Sequence, residues 1–179
     1  NDGSSIAYNA NYDGCDEIYI IAASGGVPQR LTWSPRGKFV TGFAPDGKVV
    51  YGVGGERPHG FTLLYKIDPG GGVPERLPLE QAIFNSFSAD GQWLAFTPWT
   101  REYDTWNRYM GGKASDIWLF NLQTFESKQI TDWGGTDDMP MFDGTRVYYL
   151  SDAGPEHRRN IWYYDITDGT RKQVTHFSE

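Results

Sequence analysis

The chain has 179 residues, a formal net charge of −7 and a single cysteine, Cys15. That length holds one domain with a real core and is short for two. The acidic balance argues against nucleic acid or an anionic membrane surface as a partner, and the lone cysteine allows neither an intrachain disulfide nor a cysteine-built zinc site. Aromatic residues make up 16% of the chain and glycine occurs 22 times, a composition that favours strands and tight turns over helices. No apolar run reaches membrane-spanning length and no signal peptide opens the chain. Beginning on "NDGSSIAY", the sequence reads as an excised or processed segment.

In chain order, the first unit opens on Asp2-Gly3 and runs through "SSIAYNA", a polar turn, "DEIYIIA" and "RLT". The second starts earlier in its cycle, with "KFVTGFA" ahead of Asp46-Gly47; "KVVYG", the loop "GGERPHG", "LLYKID" and "RLP" follow. The third repeats the order with "AIFNSFS", Asp90-Gly91, "QWLAF", the long polar stretch "TREYDTWNRYMGGKAS", "DIWLFN" and "QIT". The fourth has "DMPMF", Asp143-Gly144, "TRVYYL", the loop "DAGPEHRR", "NIWYYD" and "QVT". An Asp-Gly pair between apolar strands is a strong hairpin signal, because glycine accepts the positive φ of a tight turn.

The register is strict. Tyr19, Tyr65, Trp118 and Trp162 precede Leu31, Leu77, Ile130 and Val174 by the same interval (31 − 19, 77 − 65, 130 − 118 and 174 − 162 are all 12). The period is 44 wherever no insertion intervenes (47 − 3, 91 − 47 and 162 − 118). Four antiparallel strands at this period predict an all-β fold, a β-propeller. Four four-stranded blades are expected at about 1–33, 38–78, 82–132 and 137–177, the first lacking its inner strand. Ile117 and Leu119 alternate with Trp118 and Phe120, so the third strands are apolar on both faces, as stacked blades require. The four aromatics of the first column are expected to pack between blades and not to form a ligand cage. The open edges predict membership of a larger ring, or self-association between copies.

The segments "FAPDGKVVY" and "FSADGQWLAF" resemble the short motif of TolB-like and tricorn-type propellers. "RYMGGKASDIWLFNLQT" and "MPMFDGTRVYYLSDAGPEHRRNIWYYDITDGTRKQVTHF" closely resemble the N-terminal propeller of tricorn protease and its bacterial homologues, whereas "RPHGFTLLYKIDPGG" is a looser match. The tricorn resemblance implies a large, cytoplasmic serine peptidase with two propellers, a PDZ-like domain and a separate catalytic core. It implies a six-bladed first propeller that lines a channel for peptides, without cofactor, and places the catalytic motifs beyond this chain. A TolB-like, periplasmic interaction module with no enzymatic parent is the alternative. A propeller lyase or glycosidase is a third reading, disfavoured because "FVTGFA", "IFNSFS" and "MPMF" offer few charges to a central channel.

The residues themselves carry no Gly-x-Ser-x-Gly elbow, no His-Glu-x-x-His and no phosphate loop. The histidines are His59, His157 and His176; the nearest approach to a metal set is His157 with Glu156 and Asp152, expected to be solvated loop residues. Asn11, Asp13 and Asp16 lack the spacing and terminal glutamate of an EF-hand and read as a polar turn. Because connections alternate between the two ends of an up-and-down blade, the second-to-third-strand loops gather on one rim. That rim is expected to bear Arg57, His59, Arg101, Trp106, Arg108, Tyr109, His157, Arg158 and Arg159, a basic edge suited to peptides or to other domains of a parent protein. The third repeat is nine residues longer than its neighbours between turn and aromatic (118 − 91 is 27, against 65 − 47 and 162 − 144, both 18). That insertion places Tyr103, Trp106 and Tyr109 as anchors of a lengthened rim loop closed by Gly111 and Gly112.

Overall fold

The computed structural model describes residues 2–55, 61–100 and 109–177. It contains fifteen strands and no helix among those residues. The strands form four antiparallel sheets in strict chain order. The first is β1 (Ser5–Ala10), β2 (Glu17–Ala22) and β3 (Gln29–Arg30); the second is β4 (Lys38–Phe43), β5 (Val49–Val53), β6 (Leu63–Ile67) and β7 (Glu75–Arg76). The third is β8 (Asn85–Phe87), β9 (Trp93–Phe96), β10 (Trp118–Asn121) and β11 (Ser127–Gln129). The fourth is β12 (Asp137–Asp143), β13 (Arg146–Ser151), β14 (Asn160–Asp165) and β15 (Arg171–Gln173). The sheets are thus the expected blades, with the first three-stranded because it has no inner strand.

The four Asp-Gly glycines all take the left-handed backbone, with φ of 75° at Gly3, 82° at Gly47, 70° at Gly91 and 58° at Gly144. A side chain at those positions would strain the turn, which is why glycine recurs there.

The twelve-residue register has a specific cause. In every blade the backbone N–H of the downstream column residue donates to the carbonyl just before the third-strand aromatic: Leu31 to Ile18, Leu77 to Leu64, Ile130 to Ile117 and Val174 to Ile161, all at 2.8–2.9 Å. In three blades the next residue is threonine, whose hydroxyl accepts the N–H of that same partner residue: Ile18 to Thr32 at 2.9 Å, Ile117 to Thr131 at 2.8 Å and Ile161 to Thr175 at 2.8 Å. Blade two carries Pro78 there instead. Thr131→Val should therefore cost roughly 1–2 kcal/mol, since it leaves the Ile117 N–H buried without its acceptor. Urea denaturation monitored by tryptophan fluorescence would measure the loss, and an unchanged midpoint would show that the clamp adds nothing to stability.

The chain divides into two compact units, Asn1–Ile83 and Phe84–Glu179, each holding two blades. In the first, Ile18, Ile20 and Leu31 of blade one pack with Val49, Tyr51, Val53 and Ile67 of blade two. In the second, Ala95, Ile117, Leu119 and Ile130 of blade three pack with Val147, Tyr149 and Tyr164 of blade four. Of the aromatic column, Tyr19 is buried and Tyr65, Trp118 and Trp162 are half-buried; Tyr65 and Trp162 pack against these cores. Apolar residues also remain exposed on the first and fourth blades, with Ile6 53% exposed on β1 and Met141 58% exposed on β12.

The inner strands β4 and β12 each carry a bulge, between Val40 and Gly42 and between Asp138 and Met141. Met139, inside the second bulge, sits at φ 56°. Bulges of this kind bend a strand and re-aim its side chains.

Candidate functional site

The loops between second and third strands do meet the blade-to-blade crossings within each unit. In the first unit, the crossing 31–37 carries Arg36, which donates to the carbonyl of Gly55 at the start of the β5–β6 loop. Arg30 reaches back to Asp13 in the β1–β2 loop at 2.6 Å and to Glu17 at 3.0 Å. Asp13 is thereby used in an ion pair in the turn that links β1 and β2. Arg30 also lies 5.6 Å from the ring centre of Trp33, which is 68% exposed. Such a guanidinium–indole stack leaves an aromatic face presented to solvent.

The second unit shows the same meeting in more detail. Trp133, on the crossing 130–136, donates its indole N–H to Asp152 Oδ1 at 2.7 Å, and the backbone N–H of Thr136 donates to the same oxygen at 2.9 Å. The His157 ring stacks on Trp133, with centroids 5.4 Å apart and planes 16° from parallel. His157 holds that position from a left-handed backbone, φ 50°. Gly135 lies beneath this brace, where an added Cβ would overlap Asp152 Oδ1 and the Trp133 indole nitrogen. The long loop joins the same region: the Gly111 N–H donates to the carbonyl of Gly134 at 3.1 Å, and a turn closes from Ala114 N–H to Gly111 C=O at 2.9 Å.

Of the rim residues expected from sequence, Arg57, His59, Arg101, Trp106 and Arg108 lie outside the described residues, as does Tyr103. Tyr109 is half-buried over Gly111, where a Cβ would come within 2.8 Å of its hydroxyl. His157 is exposed and stacked on Trp133, Arg159 is exposed, and Arg158 is paired with Glu156 at 3.1 Å. Arg158 also borders a cleft of about 390 Å³ with Glu156, Asn160, Gln173, His176 and Phe177. In this cleft Asn160 is fixed by the N–H of Phe177, which donates to its Oδ1 at 2.7 Å. The trio His157, Glu156 and Asp152 does not converge: each is engaged by a different partner, and among the described residues no set of three such side chains could hold a metal ion. Trp33 and Trp133 escaped the sequence reading because they sit on blade crossings, outside the repeating columns.

The whole chain, residues 1–179, matches the model of the tricorn protease N-terminal β-propeller domain. The chain belongs to the tricorn protease family. A tricorn protease homologue of Streptomyces coelicolor is 31% identical over 163 residues, covering 84% of this chain and 13% of the relative. This tricorn segment thus spans about an eighth of that protein's length. The crystal structure of the tricorn protease superposes with a TM-score of 0.80 at 24% identity, over 99% of this chain and 18% of that one. TolB from Acinetobacter baumannii shares the fold at a TM-score of 0.74 and 23% identity, over 97% of this chain and 42% of that one. The tricorn segment is therefore a β-propeller portion, with TolB as a fold neighbour.

Proposed function

We propose that this chain is a non-catalytic propeller portion of a tricorn-like serine peptidase, serving as a conduit and docking platform for peptides. The observation that carries this reading is the full-length match to the tricorn N-terminal propeller in a chain that amounts to 13% of a curated relative. The four blades belong to a six-bladed ring, and further blades of the parent cover the exposed apolar residues of the two terminal blades. Each unit supplies docking groups of its own, the exposed aromatic Trp33 in the first and Arg158 beside the cleft in the second, and the sequence adds Arg101 and Arg108 as candidates. Side chains of this kind suit peptide recognition, with guanidinium groups for carboxylates and aromatic faces for apolar or cationic side chains.

The test is a parent peptidase carrying Arg101→Ala together with Arg108→Ala. Losing two steering charges should lower kcat/KM on long acidic peptides by about tenfold, with short chromogenic substrates cleaved as before, because only long substrates need guiding. Added salt should reproduce the effect in the unaltered enzyme. Equal rates on long peptides, with the fold intact, would reduce the loop to architecture.

A further inference from the structure

The two units build the same blade junction around opposite chemistry. In the first, Ile18 N–H meets Thr32 Oγ1, Leu31 N–H meets Ile18 C=O, and Gly54 N–H meets Gly37 C=O. In the second, Ile117 meets Thr131, Ile130 meets Ile117, and Asp152 N–H meets Thr136 C=O. These bonds place Glu17 opposite Asp116 in the correspondence, each just ahead of its isoleucine, and Lys38 opposite Asp137, each the first residue of its inner strand.

At the first junction the chemistry closes. Lys38 Nζ meets Glu17 Oε2 at 2.8 Å, both side chains being almost fully buried, and donates to the carbonyls of Ser34 and Arg36 at 2.8 and 2.9 Å. At the second, the position of the cation holds another acid. Asp137 is 1% exposed, and its Oδ1 is buried with no hydrogen-bond partner among the described residues; the nearby Ser115 hydroxyl, next to Asp116, is in the same condition. The Asp137 N–H donates to the Ser115 carbonyl at 2.9 Å, so the two residues are held together by the backbone. A charged carboxylate there would have one buried oxygen with no partner among the described residues, an arrangement that favours the neutral acid.

We propose that Asp137 is the proton-binding latch of the blade three–blade four junction, taking up a proton where the first junction uses a lysine, so that ionisation loosens the start of β12. Burial pushes the Asp137 carboxyl up to about 6, against the opposing effect of hydrogen bonds from Ser151 and Thr131. The charged groups around it agree. Asp116 ahead of β10 and Asp152 after β13 both repel a charge on Asp137, and Asp116 is itself raised, by burial first and by Asp132 next. Tyr149 on β13 faces it as a neutral phenol, held neutral by burial and by Asp137 itself. Among the described residues Arg171 on β15 is the nearby cation, and it is paired with Asp132 at 2.8 Å.

The sign follows from a folded value above the ordinary carboxylate one. Both states are protonated in strong acid, the unfolded chain ionises first as pH rises past about 4, and the folded state loses stability until about 6, with no further change above it. A displacement from 3.8 to about 6 corresponds to roughly a hundredfold change in the unfolding equilibrium constant.

The test is urea unfolding of the chain and of its Asp137→Asn variant between pH 4.5 and 8, beside carbon-13 titration of aspartate carboxyl resonances in the unaltered chain. The asparagine variant should lose the hundredfold fall across this window and exceed the unaltered chain in stability at pH 8. The Asp137 resonance should titrate near 6, and Asp116→Asn should lower that midpoint. Parallel pH profiles for the two chains, or a resonance that titrates below about 4.5, would overturn the latch. If the variant fails to fold, the resonance decides alone. Millimolar calcium or magnesium should leave the pH 8 stability unchanged; restoration by either ion would make the occupant a metal and likewise overturn the proposal.

Discussion

Lys38→Met should destabilise the first unit by up to roughly 3–5 kcal/mol, the cost of breaking a buried ion pair, with Arg30 at 3.0 Å left as the remaining cation on the carboxylate. The partner is Glu17, whose carboxylate is 1% exposed. It accepts from Lys38 at 2.8 Å, from the Thr32 hydroxyl at 2.5 Å and from the Ser34 N–H at 2.6 Å. Burial pushes this carboxyl upward, but the hydrogen bonds from Lys38, Thr32 and Ser34 and the lysine charge outweigh it, and the net displacement is downward. A lowered carboxyl stabilises the fold above its unfolded value, near 4.5, and that contribution disappears as pH falls through the folded one. Acid therefore weakens the first junction, whereas rising pH weakens the second.

Urea titration at pH 7 would measure the Lys38→Met cost. Adding Glu17→Gln to it should recover part of the loss, because the amide oxygen still accepts from the Ser34 N–H, the amide NH2 can donate to the Thr32 hydroxyl oxygen, and the buried charge is gone. A single variant that loses under about 1 kcal/mol would place this pair among solvated surface contacts, which contribute that little.

Gly135→Ala should cost roughly 2–4 kcal/mol and disorganise the rim of the second unit. The added methyl would occupy the space of the Asp152 carboxylate oxygen and the Trp133 indole N–H. Both groups are at the far ends of side chains, which ordinarily move away cheaply. Here Trp133 is clamped under His157, and Asp152 also holds the Thr136 N–H, so yielding breaks two hydrogen bonds and a ring stack together. Thermal unfolding would give the stability change, and the His157 ring proton shifts would report the stack through the ring current of Trp133. Unchanged shifts in a fully stable variant would show that the brace can relax around a methyl group.

Most of the architecture was legible in the residues. The Asp-Gly turns, the aromatic column and the twelve-residue interval specify blades because each reflects a local requirement: positive φ at a turn glycine, an apolar strand between two sheets, and one hydrogen bond that sets the register. The lengthened third repeat was equally visible, since an insertion leaves the flanking columns intact. The rim was legible only as a list of loops. Trp33 and Trp133 lie on crossings where no column repeats, and nothing in their neighbours marks them as aromatic contacts of the loops in their own units.

The sequence by itself determined the strand count, the register and the family, because periodic contacts within a blade depend on residues close in the chain. Only the tertiary structure decided which charges meet. Glu17 and Lys38 are 21 positions apart (38 − 17), as are Asp116 and Asp137 (137 − 116), yet one spacing yields a buried ion pair and the other a buried acid. What matters there is the shape of the dry junction that receives the two side chains, and burial is set by the packing of a whole blade against its neighbour.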